Sequence, residues 1–204
     1  MIKKLPAIVL FIFLSHFSFS QQFPSEIWHE GKLVLVNDDT LNGNLKYDMT
    51  RGIVQIEIND KLYTHGATSI FYFKIFDSTI EANREFYVLP YGLITSYKAP
   101  VIFEVLVEGN LSLLSREYIT AKNIQSSVPS YYGSQSYQKD VLMYDFFFLD
   151  RKGNIIPYNL KKKELMEAVR LRQSQVAEYM KSNKLKFDRR NDLIRIIAFY
   201  NALL

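Results

Sequence analysis

Glu104 and Glu117 are the two residues whose type and spacing come nearest to catalytic chemistry. They fall on apolar runs, Val101 to Val107 and Leu111 to Ile119, separated by Glu108-Gly109-Asn110, a hairpin signal that would bring the runs side by side. Two carboxyl groups facing one cleft can divide the work of glycoside hydrolysis, one kept protonated and the other ionised. Arg116 lies beside Glu117, however, and a cross-strand ion pair between Glu104 and Arg116 is the arrangement the spacing favours. The chain has no Gly-x-Ser-x-Gly, no His-Glu-x-x-His and no glycine-rich phosphate loop. No catalytic residue is therefore assigned.

Metal chemistry has equally little to stand on. Beyond His16, the only histidines are His29 and His65, and cysteine is absent, which removes thiolate ligands and nucleophiles together. His29-Glu30 with His65 lacks the ligand spacing of a zinc site. Asn37-Asp38-Asp39 and Asp60 offer oxygen ligands suited to calcium, but Asn and Asp in such places ordinarily bond their own backbone in turns. Neither a metal nor a cofactor is expected.

The elements that must position these residues are mostly strands. Lys32 to Val36 stops at Asn37-Asp38-Asp39-Thr40, and Asn44 to Tyr47 resumes after Asn42-Gly43, a dipeptide that reads as a turn. Ile53 to Ile58 alternates with the two-residue period of a half-buried strand and is tied by Asn59-Asp60 to Lys61–Thr64. Ser69 to Phe76, Arg84 to Leu89 and the two runs named above follow. Val141 to Leu149 and Ile155 to Tyr158 flank a last turn at Asp150-Arg151-Lys152-Gly153-Asn154. Nine or ten strands at this spacing predict an antiparallel sandwich or barrel over residues 21–158. Fifteen Phe and fourteen Tyr suit its pleated faces. Residues 125–139, rich in Ser, Gln and Tyr, read as a loop in which Tyr131, Tyr132 and Tyr137 are candidate ligand contacts.

From residue 159 the period changes. Leu165, Val169, Val176 and Met180 fall on one helical face capped near Asn159, and Leu193, Ile196, Ile197, Tyr200, Leu203 and Leu204 on a second helix capped by Asp188 or Asn191. The prediction is a helical hairpin over residues 159–204, making the whole a mainly β, α+β fold. Charge divides at nearly the same place. Residues 21–150 hold 10 Lys and Arg against 16 Asp and Glu, a balance of −6, while residues 151–204 hold 13 against 5, a balance of +8. Lys161, Lys162, Lys163, Lys181, Lys184, Lys186, Arg189 and Arg190 are the candidates for contact with an anionic surface such as a membrane or lipopolysaccharide, or with an acidic protein. The competing arrangement docks the basic tail on its own acidic body.

The first twenty residues give an address. Lys3 and Lys4 precede an apolar run from Leu5 to Phe19, and Ser18-x-Ser20 supplies small residues at a cleavage site. The run is too short for a spanning helix, which needs about 20 apolar residues. Residues 1–20 are expected to be a signal peptide and the mature chain to begin near Gln21, which makes nucleic acid an unexpected partner.

Trp28-His29-Glu30-Gly31, the run Leu35-Val36-Asn37-Asp38-Asp39-Thr40-Leu41-Asn42-Gly43 and Leu45-Lys46-Tyr47-Asp48 form one set of motifs. Tyr179-Met180-Lys181-Ser182-Asn183-Lys184-Leu185 and Phe199-Tyr200-Asn201-Ala202-Leu203 form another. On these the mature chain resembles uncharacterised exported proteins of Bacteroidetes-type bacteria. The resemblance implies a cell-envelope setting, periplasmic, at the outer-membrane periphery or secreted, and carries over no site residues. The sequence thus predicts a non-enzymatic binding or assembly module, with a β-barrel holding a small apolar or carbohydrate ligand under residues 125–139 as the alternative and a carbohydrate-active enzyme behind both. It leaves the oligomeric state open.

Overall fold

The computed structural model describes residues 22–92, 97–125 and 136–204. Ten strands form one antiparallel sheet: β1 (His29–Leu35), β2 (Thr40–Asp48), β3 (Ile53–Ile58), β4 (Lys61–Gly66), β5 (Ile70–Asp77), β6 (Ala82–Tyr91), β7 (Ala99–Val107), β8 (Leu111–Gln125), β9 (Ser136–Asp150) and β10 (Ile155–Tyr158). Their spatial order is β10-β9-β8-β7-β6-β5-β1-β2-β3-β4, two meanders joined where β5 returns to lie beside β1. Three helices follow: α1 (Lys162–Ala168), α2 (Gln173–Ser182) and α3 (Arg190–Ala202). The architecture is mainly antiparallel β with C-terminal helices, as the strand and helix periods predict.

The sheet curls strongly. Strands β2 and β8 are five positions apart in the order, about 24 Å if the sheet were flat. Yet the Tyr47 hydroxyl of β2 lies 2.6 Å from the Glu117 carboxylate of β8. The face both side chains share is therefore concave. Along it, strand alternation brings Leu33, Leu45, Val54, Ile56, Phe73, Ile75, Phe86 and Ile102 into one buried cluster. Farther along, Leu113, Phe146, Phe148 and Tyr158 meet Leu165, Val176, Leu193, Ile196 and Ile197 of the helices. A small third cluster, Phe103, Leu114 and Phe147, has the opposite strand parity and sits on the convex face. The end of α3 is tied to the β7–β8 hairpin, where Asn201 accepts from the Leu111 N–H at 3.0 Å and donates to its carbonyl at 2.9 Å.

Four local expectations change. Asn42-Gly43 is no turn: both residues lie inside β2, and the chain reverses earlier, at Asp38 (φ 69°). Gly43 serves close approach instead, since a Cβ there would collide with the Glu57 carbonyl of β3. The first helix is two, with a 3₁₀ turn over Arg170–Arg172 between α1 and α2, although neither Gly nor Pro marks the break. The expected caps are absent too. Lys161 and Arg189 occupy the N-cap positions without side-chain bonds, and it is Glu164 that accepts from the Asn159 backbone N–H at 2.8 Å. Finally, the segment read as a loop over residues 125–139 belongs in part to strands, because Gln125 pairs with Ser136 and the ladder continues through Ile124–Tyr137 to Lys122–Lys139. Polar side chains hid this stretch because a ribbon with both faces wet has no apolar period.

That ladder has a consequence for shape. Strand β7 pairs with β8 only as far as Ser115, and β10 pairs with β9 only from Phe146 onward. Beyond those points Arg116–Gln125 and Ser136–Asp145 pair with each other alone, ten residue pairs or about 34 Å of two-stranded ribbon.

Candidate functional site

A buried ionic network stands where the concave face passes from its sheet-only core to its helix-covered core. At its centre is Arg84 of β6, 5% exposed. Arg84 shares strand parity with Phe86 and Val88, so the alternation that buries Phe86 and packs Val88 against the same core also turns the guanidinium inward. Asp77 shares a face with Phe73 and Ile75, Tyr47 with Leu45, and Glu104 with Ile102. Each polar member thus sits on an apolar parity.

All five donors of Arg84 are used. Nε and Nη2 grip Glu104 at 2.9 and 3.0 Å, and Nη2 also reaches Glu117 at 2.8 Å. Nη1 donates to Asp77 at 3.1 Å and to the Tyr47 hydroxyl at 2.8 Å. Tyr47 in turn donates to the second oxygen of Glu117. Ser115 donates to Glu104 at 3.0 Å, and Thr79 donates to Asp77 at 2.6 Å. Arg190, at the start of α3, adds a 3.0 Å bond to Glu104. The guanidinium of Arg84 also lies 5.0 Å from the centre of the Phe86 ring. Such pairing is what burial demands, since an unpaired charge here would cost several kcal/mol.

The electrostatics follow from this packing. Burial alone would raise the Glu104 carboxyl, but the bonds and charge of Arg84, with Arg190 and Ser115, hold it below its ordinary range. Asp77 is likewise held down, the bonds from Thr79 and Arg84 outweighing burial. Burial pushes the Tyr47 hydroxyl well above the usual phenol range. Arg84 is raised: its carboxylate partners outweigh the burial that opposes its charge.

The expected Glu104–Arg116 pair does not form. Glu104 faces Ser115 across the β7–β8 ladder, so the neighbouring Arg116 points to the other side of the sheet. There its Nη2 donates to the Met49 carbonyl at 2.7 Å, and its guanidinium lies over Phe103. Glu104 and Glu117 are instead both held by one guanidinium, and Glu104, kept below its ordinary range by that contact, is poorly suited to give a proton as a general acid. A cleft of about 530 Å³ opens between Lys46–Arg51 and Glu117–Ile119, with Tyr47 and Glu117 among its lining residues, and those two polar groups are bonded to each other.

His29 lies 2.8 Å by Nε2 from the Pro24 carbonyl and stacks on Tyr47, whereas His65 is on β4. Asn37 bonds Asp39 at 2.7 Å within the first turn, and Asp60 belongs to the distant β3–β4 turn. Among the described residues no three His, Asp or Glu side chains gather as a metal would require.

Tyr131 and Tyr132 lie outside the described residues. Tyr137 is on β9 opposite Ile124, 54% exposed, in the projecting ribbon. The basic candidates separate into distinct groups. Arg190 turns inward to Glu104, the one ion pair between tail and body among the described residues. Lys161 pairs with Glu164 at 3.7 Å, and Arg189 is exposed before α3. Lys163 lines a shallow cleft with Lys162, Met166, Glu167 and Gln173. Lys162, Lys181, Lys184 and Lys186 come together around a groove of about 550 Å³ whose other lining residues are Ala177, Met180, Leu185, Phe187 and Asp188. None of these four lysines makes an ion pair among the described residues.

Sequence reasoning missed Arg84, Asp77 and Tyr47. The signal available was parity: a charge at the i position of an i, i+2, i+4 apolar series has to be buried and therefore needs a partner. No protein-family model, no curated protein and no solved structure matches this chain. Among the described residues no helix is long and apolar enough to cross a membrane.

Proposed function

We propose that this protein is a non-enzymatic assembly module of the bacterial cell envelope, making its contact through the β8–β9 ribbon by strand pairing with a protein partner. The observation that carries the reading is the ribbon itself: ten residue pairs with no third strand on either side among the described residues. A two-stranded ribbon is marginally stable alone in water, and its outer N–H and C=O groups form a template for another strand. Tyr118, Ile119, Val141, Leu142 and Met143 are at most partly covered, so an added strand would also bury apolar surface.

The rival readings have less support. The curled core is filled by Tyr47, Phe73 and Phe86, with ring centroids 4.5 to 5.9 Å apart, which leaves little room for a ligand on that side of the network. The carbohydrate-active reading needs a free carboxyl, and Arg84 occupies both. Export is supported by the signal-like residues 1–20 and by the motif resemblance to exported proteins.

A photo-crosslinking amino acid at Tyr137, in cells of the source organism, tests the assembly. A covalently crosslinked protein is expected from Tyr137 and not from Ile156, an exposed control on the short edge strand β10. Equal labelling from both positions, or none from Tyr137, would remove the strand-pairing reading. The mass of the mature chain from the same cells checks cleavage near Gln21.

A further inference from the structure

We propose that the groove at the C-terminal end of α2 binds an anionic lipid, its acyl chain lying on the apolar floor and its acidic headgroup held by Lys181, Lys184 and Lys186. The first support is charge complementarity. Four lysines line the groove against the single carboxylate of Asp188, and none of the four is spent on an ion pair among the described residues. The floor is of the other kind, with Met180 and Leu185 buried and Phe187 partly so. A concave apolar surface rimmed by cations fits an amphiphile whose head is acidic, and its volume lies within the usual range of small-molecule sites.

The second support is how the rim is built. Helix α2 ends in a Schellman motif: the Leu185 N–H donates to the Met180 carbonyl at 2.9 Å, and the Lys184 N–H to the Lys181 carbonyl at 3.3 Å. The left-handed residue of that motif is ordinarily glycine, because a side chain there crowds the backbone. This chain places Lys184 there, at φ 54°. The position that would best serve the turn carries a cation instead, while the next residue, Leu185, packs into the core. Downstream, the Lys186 N–H donates to Asp192 and the Phe187 carbonyl accepts from the Tyr158 hydroxyl, so the rim is fixed to α3 and β10. The site is formed before any ligand arrives, which lowers the ordering cost of binding.

The groove is separate from the ribbon, so this inference goes beyond the strand-pairing reading and does not depend on it. The test uses the chain with dodecyl phosphate, dodecyl maltoside and inorganic phosphate as soluble probes, and with vesicles of phosphatidylglycerol or phosphatidylcholine. Dodecyl phosphate is expected to bind at least about tenfold more tightly than either other probe, and the chain to float with phosphatidylglycerol vesicles only. The double variant Lys181→Glu, Lys184→Gly supplies the glycine the turn prefers, and should lose roughly tenfold in affinity for dodecyl phosphate while remaining folded. A control variant, Lys61→Glu on β4, removes a comparable charge far from the groove and should change binding little. Equal binding of the phosphate and maltoside amphiphiles would overturn the proposal, as would an equal loss in the β4 control. A ribbon shortened by joining Tyr118 to Met143 through Asn-Gly should bind lipid normally, so failure of the groove and failure of the ribbon are separately visible.

Discussion

Two regions of this molecule handle charge in opposite ways. Around Arg84, three carboxylates are withdrawn from water and bonded to its buried guanidinium, with the partly exposed Arg190 adding one further bond to Glu104. Around the α2 groove, four lysines stay in water and make no ion pair among the described residues. Charges that satisfy each other define a fold, and charges left unpaired beside an apolar floor are available to something outside it. Between acidic body and basic tail, a division so plain in the sequence, Arg190–Glu104 is the one ion pair among the described residues.

The sharpest way to break the contrast is Arg84→Met. It strands Asp77, Glu104 and Glu117 in the core, and a loss of about 3–5 kcal/mol is expected, measured by urea unfolding. Lipid binding by the fraction that remains folded should be unchanged. Acid does a milder version of the same thing. Asp77 and Glu104 are held below their ordinary values of 3.8 and 4.5, so on acidification the unfolded chain takes up protons first. Their stabilisation is complete above those values and is lost as the pH falls through the lower folded ones, which a series of unfolding midpoints against pH would trace. A midpoint that stays flat on acidification would mean the network contributes nothing.

Tyr47→Phe tests one spoke. It removes the hydroxyl that accepts from Arg84 and donates to Glu117, and about 1–3 kcal/mol should be lost. Arg190→Gln should cost less, about 1 kcal/mol, because Glu104 keeps Arg84 and Ser115. The smallest effect has the opposite sign. Lys184→Gly relieves a left-handed lysine and should raise stability by ~1 kcal/mol while weakening the groove for acidic amphiphiles. A variant that gains stability and loses binding would separate the two regions most clearly.

Much of the fold was legible because strand alternation is local. Every apolar run read as a strand is one, and Asn59-Asp60 forms the expected hairpin turn with both residues at positive φ. Asn42-Gly43 misled because the same dipeptide serves a turn or a close strand contact, and only the partner strand decides which. Of the network, Glu104 and Glu117 were visible as a facing pair, but their partner was assigned from chain proximity. Arg116 is adjacent to Glu117 in sequence, and Arg84 is the residue that reaches both, from 20 positions before Glu104 and 33 before Glu117.

Local sequence is enough for the antiparallel strands, the helical tail and the separation of charge, because each rests on periods and compositions that a short window contains. Tertiary structure alone decided which charges were spent. Curling of the sheet brings β2 against β8 and closes the network around Arg84. Docking of the helices turns Arg190 inward and leaves Lys181, Lys184 and Lys186 around one groove. Such choices depend on contacts between residues far apart in the chain, and no local pattern records them.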